Sequence, residues 1–230
     1  MKNKKKGKLE FKKRNRQTTE ESLIQAAGDL FRKFGYANLT VSKIARQAEV
    51  DRNLVYRYFG NVAELFKKYL FGQDFWISHS DKVDEMIEAN RHDDGKSLAK
   101  SLLASQLNYF MENKEMQRLI HWEITETNPI ARGISDERER MGEQMLRITD
   151  NHFLGSDVDF RAIESILIAG VYYIVLHAKM NGSTFCGIDI NTGEDLIKIE
   201  KALKQIIDWA YTNGSIKVSE EQTTSKTLVT

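Results

Sequence analysis

Among its 230 residues the chain has one cysteine and one proline. A lone thiol, Cys186, excludes an internal disulfide and fits a reducing, cytoplasmic setting, with an inert buried or partly buried thiol as the default. With Pro129 as the sole proline, little interrupts long helices. The five histidines show no HExxH or other metal-ligand spacing. No nucleophile stands beside a base, and no glycine-rich phosphate loop is present, so the expectation is a non-enzyme with no catalytic residue, metal or cofactor. His121, Trp122 and Glu123 are adjacent, but neighbours on a helix do not face each other and make no catalytic pair. No segment reads as a membrane span, and the basic N-terminus lacks the apolar run of a secretion signal. Nothing alternates as a sheet would, and no internal repeat is visible.

What is present is a soluble, helix-rich composition, 41% apolar and 29% charged, with a formal charge of +1 that conceals a division. Residues 1–70 carry 17 Lys and Arg against 7 acids, and residues 71–230 carry 17 against 26. That asymmetry points one end at a polyanion and turns the other away. The segment "MKNKKKGKLEFKKRNR" is too polar to pack, and residues 1–17 read as a flexible basic arm. It is either a solvated tail or an arm that lies along phosphates or enters a minor groove.

The stretch "LTVSKIARQAEVDRNLVYRYF" contains two short helices. Val41, Ile44, Ala45 and Ala48 share one face of the first, with Thr40 as its N-cap. Asp51 caps the second, in which Val55 and Phe59 face a core. Each is shorter than the roughly 12 residues at which an isolated helix becomes marginal. They must therefore pack on a third, Glu20 to Phe34, whose stripe is Leu23, Ala27, Leu30, Phe31 and Phe34 and which Gly35 ends. Arg52, Asn53, Leu54, Tyr56, Arg57 and Tyr58 are left outside. Arg and Asn can bond base edges, while Tyr and backbone amides hold phosphates. The pair reads as a helix-turn-helix that binds double-stranded DNA, although short helix pairs with an alanine at their contact also occur in bundles that bind nothing.

Through "AAGDLFRKFGYANLTVSKIA", "VDRNLVYRYF" and "NVAELF", residues 20–70 resemble the tetracycline-repressor (TetR) family of transcriptional regulators. The resemblance implies phosphate contacts for Thr40, Tyr56 and Tyr58, and exposed recognition-helix positions for Arg52, Asn53, Leu54 and Arg57. It also implies a dimer on a palindromic operator, released when a small molecule enters the C-terminal domain. Glu49 stands where a glycine is common, so the turn must hold a side chain in a conformation that glycine favours. Val62 stands where a lysine often meets a phosphate. Leu54 replaces a small hydroxyl residue and suits a thymine methyl.

Asn61 and Glu64 begin a further helix toward Trp76, and apolar spacing suggests helices over Lys96–Glu112, Lys114–Thr127, Pro129–Phe153, Phe160–Asn181 and Glu194–Tyr211. The expected organisation is all-α: an arm over 1–17, a three-helix DNA-binding domain over 18–62, a helical regulatory and dimerisation domain over 63–215, and a disordered tail over 216–230. In the penultimate helix Ile163, Ile166, Leu167, Gly170, Val171, Ile174 and Ala178 form a stripe; the last offers Leu196, Ile199, Leu203, Ile206 and Ala210. Two such hairpins would close as a four-helix bundle between two chains, or else form the core of one. Phe110, Met111, Trp122, Tyr172, Tyr173, His177 and Met180 are candidates for an effector pocket, with plain core as the alternative. A DNA-binding adaptor or architectural protein without a ligand is the competing reading.

Overall fold

The computed structural model describes the backbone of residues 2–78 and 83–216 and the side chains of residues 16–77 and 84–216. Among the described residues the regular structure is helical, and an isolated bridge between Phe185 and Ile188 is the nearest approach to a strand. The chain divides into two compact units, Met1–Asp74 with Asn128–Ile134, and Phe75–Thr127 with Ser135–Thr230.

The first unit holds α1 (Lys2–Phe34), α2 (Val41–Gln47), α3 (Asn53–Phe59) and α4 (Val62–Gln73). Leu23 and Ala27 of α1, Ile44 of α2, Val55 of α3, and Leu65 and Phe66 of α4 are each fully enclosed. The Phe66 ring lies 4.8 Å from that of Phe31 and 5.1 Å from that of Tyr36. Gly28 lets α1 and α4 approach, because a Cβ there would come within 2.3 Å of the buried Tyr69 ring. Phe34 departs from the expected stripe. It is 49% exposed, in the last turn before Gly35, whose φ of 75° turns the chain out of the helix.

Spacing alone puts the boundary at 62/63, whereas the compact unit runs to Asp74. The physical reason is α4, whose Leu65, Phe66, Tyr69 and Leu70 close the core that α1 begins. The backbone of α1 extends through the segment read as an arm, back to Lys2. Lysine is a good helix former and residues 2–17 contain no proline, so the helix continues through the single unfavourable Gly7. Most of the expected C-terminal tail, residues 217–230, lies outside the described residues.

The second unit comprises α5 (Phe75–Ser78), α6 (Val83–Ala89), α7 (Lys96–Glu112), α8 (Lys114–Thr125), most of α9 (Pro129–Phe153), α10 (Phe160–Asn181) and α11 (Gly193–Gly214). The boundaries of α7 to α11 follow the periodicity closely, and the starts of α8 to α11 each carry a local signal. Asn113, Asp159 and Thr192 accept N-cap bonds from Met116, Ala162 and Asp195, and Pro129 opens α9. The helix expected to run from Asn61 toward Trp76 stops at Gln73, where Asp74 turns extended, and Phe75 begins the separate α5; the short α6 was not anticipated. α7 packs against α8, α10 and α11. Lys96 and Lys100 reach Asp208 of α11 at 2.8 and 2.7 Å.

α10 corrects the expectation that no segment could span a membrane, because by length and composition its 22 residues suffice. It packs on α7, α8 and α11 through Leu167, Val171, Val175 and Ala178. A core helix passes the same test. The expected stripe also divides. Leu167, Val171 and Ala178 face inward, whereas Ile166 is 71% exposed and Gly170 is exposed.

Candidate functional site

The exposed face of α3 is built by what α3 buries. Val55 is fully enclosed and fixes the rotation of the helix, so Arg52, Asn53, Tyr56 and Arg57 stand in solvent while Leu54 and Tyr58 are half-buried. Each start is capped in turn. Thr40 Oγ1 accepts from the Lys43 amide at 3.3 Å, Asp51 Oδ1 from the Asn53 amide at 2.7 Å, and Asn61 Oδ1 from the Glu64 amide at 2.9 Å. The Asp51 carboxylate is thus engaged at the start of α3, and the face beyond it carries no acid before Glu64.

The turn between α2 and α3 rests on Glu49, whose φ is 55°. This left-handed conformation costs a residue with a Cβ about 1 kcal/mol and is held by bonds on both sides. The Glu49 amide donates to Arg46 O at 3.3 Å and the Val50 amide to Ala45 O at 3.0 Å. The Glu49 carboxylate itself is exposed. Arg16 of α1, paired with Glu20 at 2.7 Å, lies 5.3 Å from the centroid of the Tyr58 ring. A cation over that face steadies the ring. Neither the Tyr56 nor the Tyr58 hydroxyl is hydrogen-bonded among the described residues. All seven residues expected at DNA are therefore gathered on α3 and at the start of α2. Spacing did not reveal the Arg16 contact, which joins residues 42 positions apart.

The second unit contains a cavity of about 490 Å³. Its apolar wall includes Trp76, Leu98, Leu102, Met145, Leu146 and Ile168. Its polar groups are Glu123, Arg138, Glu139, Arg161, Glu164 and Tyr172. Arg138 Nη1 donates to Glu123 Oε2 at 2.7 Å, and Ser135 donates to the other oxygen of that carboxylate. Arg161 reaches Glu143 at 2.6 Å and Asp150 at 2.7 Å. These bonds hold the Glu143 carboxyl well below the usual range, Arg161 contributing most and Arg147 next. Glu164 differs. Burial pushes its carboxyl up to about 7, and among the described residues no hydrogen bond or ion pair reaches it.

Of the seven residues proposed for a pocket, Tyr172 lines this cavity, where its hydroxyl accepts from Gln106 Nε2 at 2.8 Å. Phe110 is fully buried behind it, ring to ring at 5.1 Å. Trp122 is buried and donates from Nε1 to Glu126 at 2.8 Å, and Met111 is half-buried. Tyr173 and Met180 are 55% and 51% exposed, on the opposite side of α10 from the inward-facing residues. His177 packs near Phe185 and Tyr173 and bonds Ser183 at 2.8 Å. An aromatic at helical spacing does not reveal which side faces a cavity. The charged lining residues were missed, although "AIESILIAGVYYIVLHAKM" carries the signal of an isolated acid, Glu164, in an apolar run. No cluster able to hold a metal occurs among the described residues.

Residues 23–69 match the family model for bacterial regulatory proteins of the tetR family. The HTH-type transcriptional repressor SCO4008 of Streptomyces coelicolor is 26% identical over 201 residues, covering 85% of this chain and 98% of that protein. Among solved structures, NalD of Pseudomonas aeruginosa, the secondary repressor of the MexAB-OprM multidrug efflux pump, superposes with a TM-score of 0.57 at 17% identity, covering 85% of this chain and 96% of NalD. The transcriptional regulator FadR of Bacillus subtilis, in complex with stearoyl-CoA, gives 0.54 at 18% identity, covering 85% and 98%. With an enclosed Val55 turning Arg52, Asn53, Tyr56 and Arg57 to solvent, and with residues 23–69 matching the model for bacterial regulatory proteins of the tetR family, this chain is a DNA-binding transcriptional regulator whose first unit is similar to those of the TetR family.

Proposed function

We propose that this protein is a homodimeric repressor that holds a palindromic operator through α3 and releases it when a small molecule occupies the cavity of the second unit. The observation that carries the DNA half is the exposed face of α3, anchored by the buried Val55. Arg52, Asn53 and Arg57 are placed to read base edges, Leu54 to meet a thymine methyl, and Thr40, Tyr56 and Tyr58 to fix phosphates. The basic N-terminal segment adds sequence-independent attraction and offsets the lysine missing at Val62. Such a protein works in the cytoplasm, where the DNA is.

Dimerisation is supported by two apolar stripes. Ile163, Ile166, Gly170 and Tyr173 of α10, and Ile199, Ala202, Ile206 and Trp209 of α11, recur at three-and-four spacing and stay partly or wholly exposed. Large residues such as Ile166, Tyr173 and Trp209, exposed at 71%, 55% and 56%, mark a surface for another protein. The partner offered here is a second copy, which would complete a four-helix bundle. Two α3 helices then meet successive major grooves about 34 to 36 Å apart. An effector acts by favouring the dimer in which that separation is wrong, and one that fits both shapes equally shifts nothing.

Selection of bound duplexes from a random library at two salt concentrations tests this. A palindromic motif that survives the higher salt is the expected outcome. Binding without a motif, lost as salt rises, would leave only an architectural phosphate binder. A monomeric mass at micromolar concentration would overturn the dimer.

A further inference from the structure

We infer that the cavity of the second unit selects an amphipathic organic cation, an amine or quaternary ammonium on an apolar body, with the Glu164 carboxylate as its countercharge. The inference rests on reading this cavity as the effector site and adds the class of effector.

Each guanidinium group on the wall already holds at least one carboxylate. Arg138 is held by Glu123 at 2.7 Å, and Arg161 by Glu143 and Asp150 at 2.6 and 2.7 Å. An anionic ligand would have to take these cations from carboxylates that hold them in good geometry. A cationic ligand meets the reverse situation. Glu164 lines the same cavity with no ion pair among the described residues, because Arg161, three residues earlier on α10, is engaged with Glu143 and Asp150. A second carboxylate, the more exposed Glu139, also lines the cavity.

Taking a lone carboxylate out of water is costly unless a partner of opposite charge arrives with it. Glu164 shows that cost, since burial alone lifts its carboxyl to about 7. A bound cation would supply the missing partner in surroundings that strengthen the attraction. The rest of the wall suits the same ligand. Leu98, Leu102, Met145 and Ile168 provide apolar contact, and Trp76 and Tyr172 provide aromatic rings of the kind that attract cations.

Isothermal titration of the full chain with three matched probes tests the inference: decyltrimethylammonium, decanol and decanoate, each below its micelle concentration. The cation is expected to bind at least tenfold more tightly than decanol, and decanoate more weakly than either. In Glu164→Gln the cation should lose its advantage while decanol binds as before, and Glu164→Asp, which keeps the charge, should retain the preference. Decanoate binding as tightly as the cation, a preference that survives Glu164→Gln, or no binding by any probe would each overturn the inference. Anisotropy of a labelled selected duplex separates this from the effector reading. A cation that binds through Glu164 without releasing DNA keeps the ligand class and removes the gating. Release by decanol or decanoate but not by the cation keeps the gating and removes the ligand class.

Discussion

The two units expose and enclose opposite kinds of side chain. On α3, Val55 is enclosed while Asn53, Tyr56 and Arg57, with Arg52 just before them, stand in water. In the second unit the charged groups of Arg138 and Glu164 border a cavity, while apolar Ile166 and Trp209 are on the outside. In the first, polar groups outside and apolar groups inside are the ordinary arrangement, and function follows from which polar groups they are. In the second, both depart from the ordinary arrangement, and each departure carries a cost, since a carboxylate drawn out of water lacks a partner and an exposed apolar stripe lacks a cover.

The largest expected effect sharpens this contrast by removing the small core. Phe66→Ala deletes a ring enclosed among Phe31, Tyr36 and Tyr69, at a cost of about 3 to 5 kcal/mol. Hydrogen exchange should show protection falling in α1 to α4 and persisting in α7 and α10. Uniform loss along the chain would mean that the two units share one cooperative transition.

Next is Glu164→Gln, which probes the buried charge through pH. The folded carboxyl, at about 7, lies above the 4.5 of an ordinary glutamate. The native state therefore holds a proton that the unfolded chain gives up. That contribution is complete below pH 4.5 and is lost as pH rises through 7, on the order of 3 kcal/mol in all. The glutamine variant lacks this loss. Its melting temperature should match that of the parent near pH 4 and exceed it above pH 8. A constant difference across that range would remove Glu164 from the list of buried charges.

Arg52→Ala tests the outward face. It should cost about 1 to 3 kcal/mol on the selected duplex and far less on a scrambled one. Equal losses on both would assign Arg52 to phosphate. Tyr58→Phe should weaken both duplexes alike. The smallest effect is a gain. Glu49→Gly relieves a left-handed φ of 55° and should stabilise the first unit by about 0.5 to 1 kcal/mol in urea unfolding, net of the added freedom of the unfolded chain. A loss there would show that the Glu49 side chain makes a contact worth more than the strain.

Much of the exposed face of α3 was legible because its determinants are local. Thr40, Asp51 and Asn61 cap helices within three residues of themselves, and the spacing of Val55 and Phe59 gives the rotation of α3. The departure at Glu49 was legible for the same reason, since a turn of two residues leaves one conformation open. The domain boundary was less so, because α4 is assigned by what its Phe66 touches and not by where α4 begins.

What the sequence by itself determined is the longer helices, most of their caps, the division of charge and the outward chemistry of α3, all consequences of period and of bonds between near neighbours. Only the tertiary structure decided which side of α10 is inside. An apolar run has several equally apolar faces, and the choice depends on α7, α8 and α11 arriving from far along the chain. That packing put Tyr172 at a cavity, left Tyr173 in solvent, and drew Glu164 half out of water with no hydrogen bond or ion pair among the described residues.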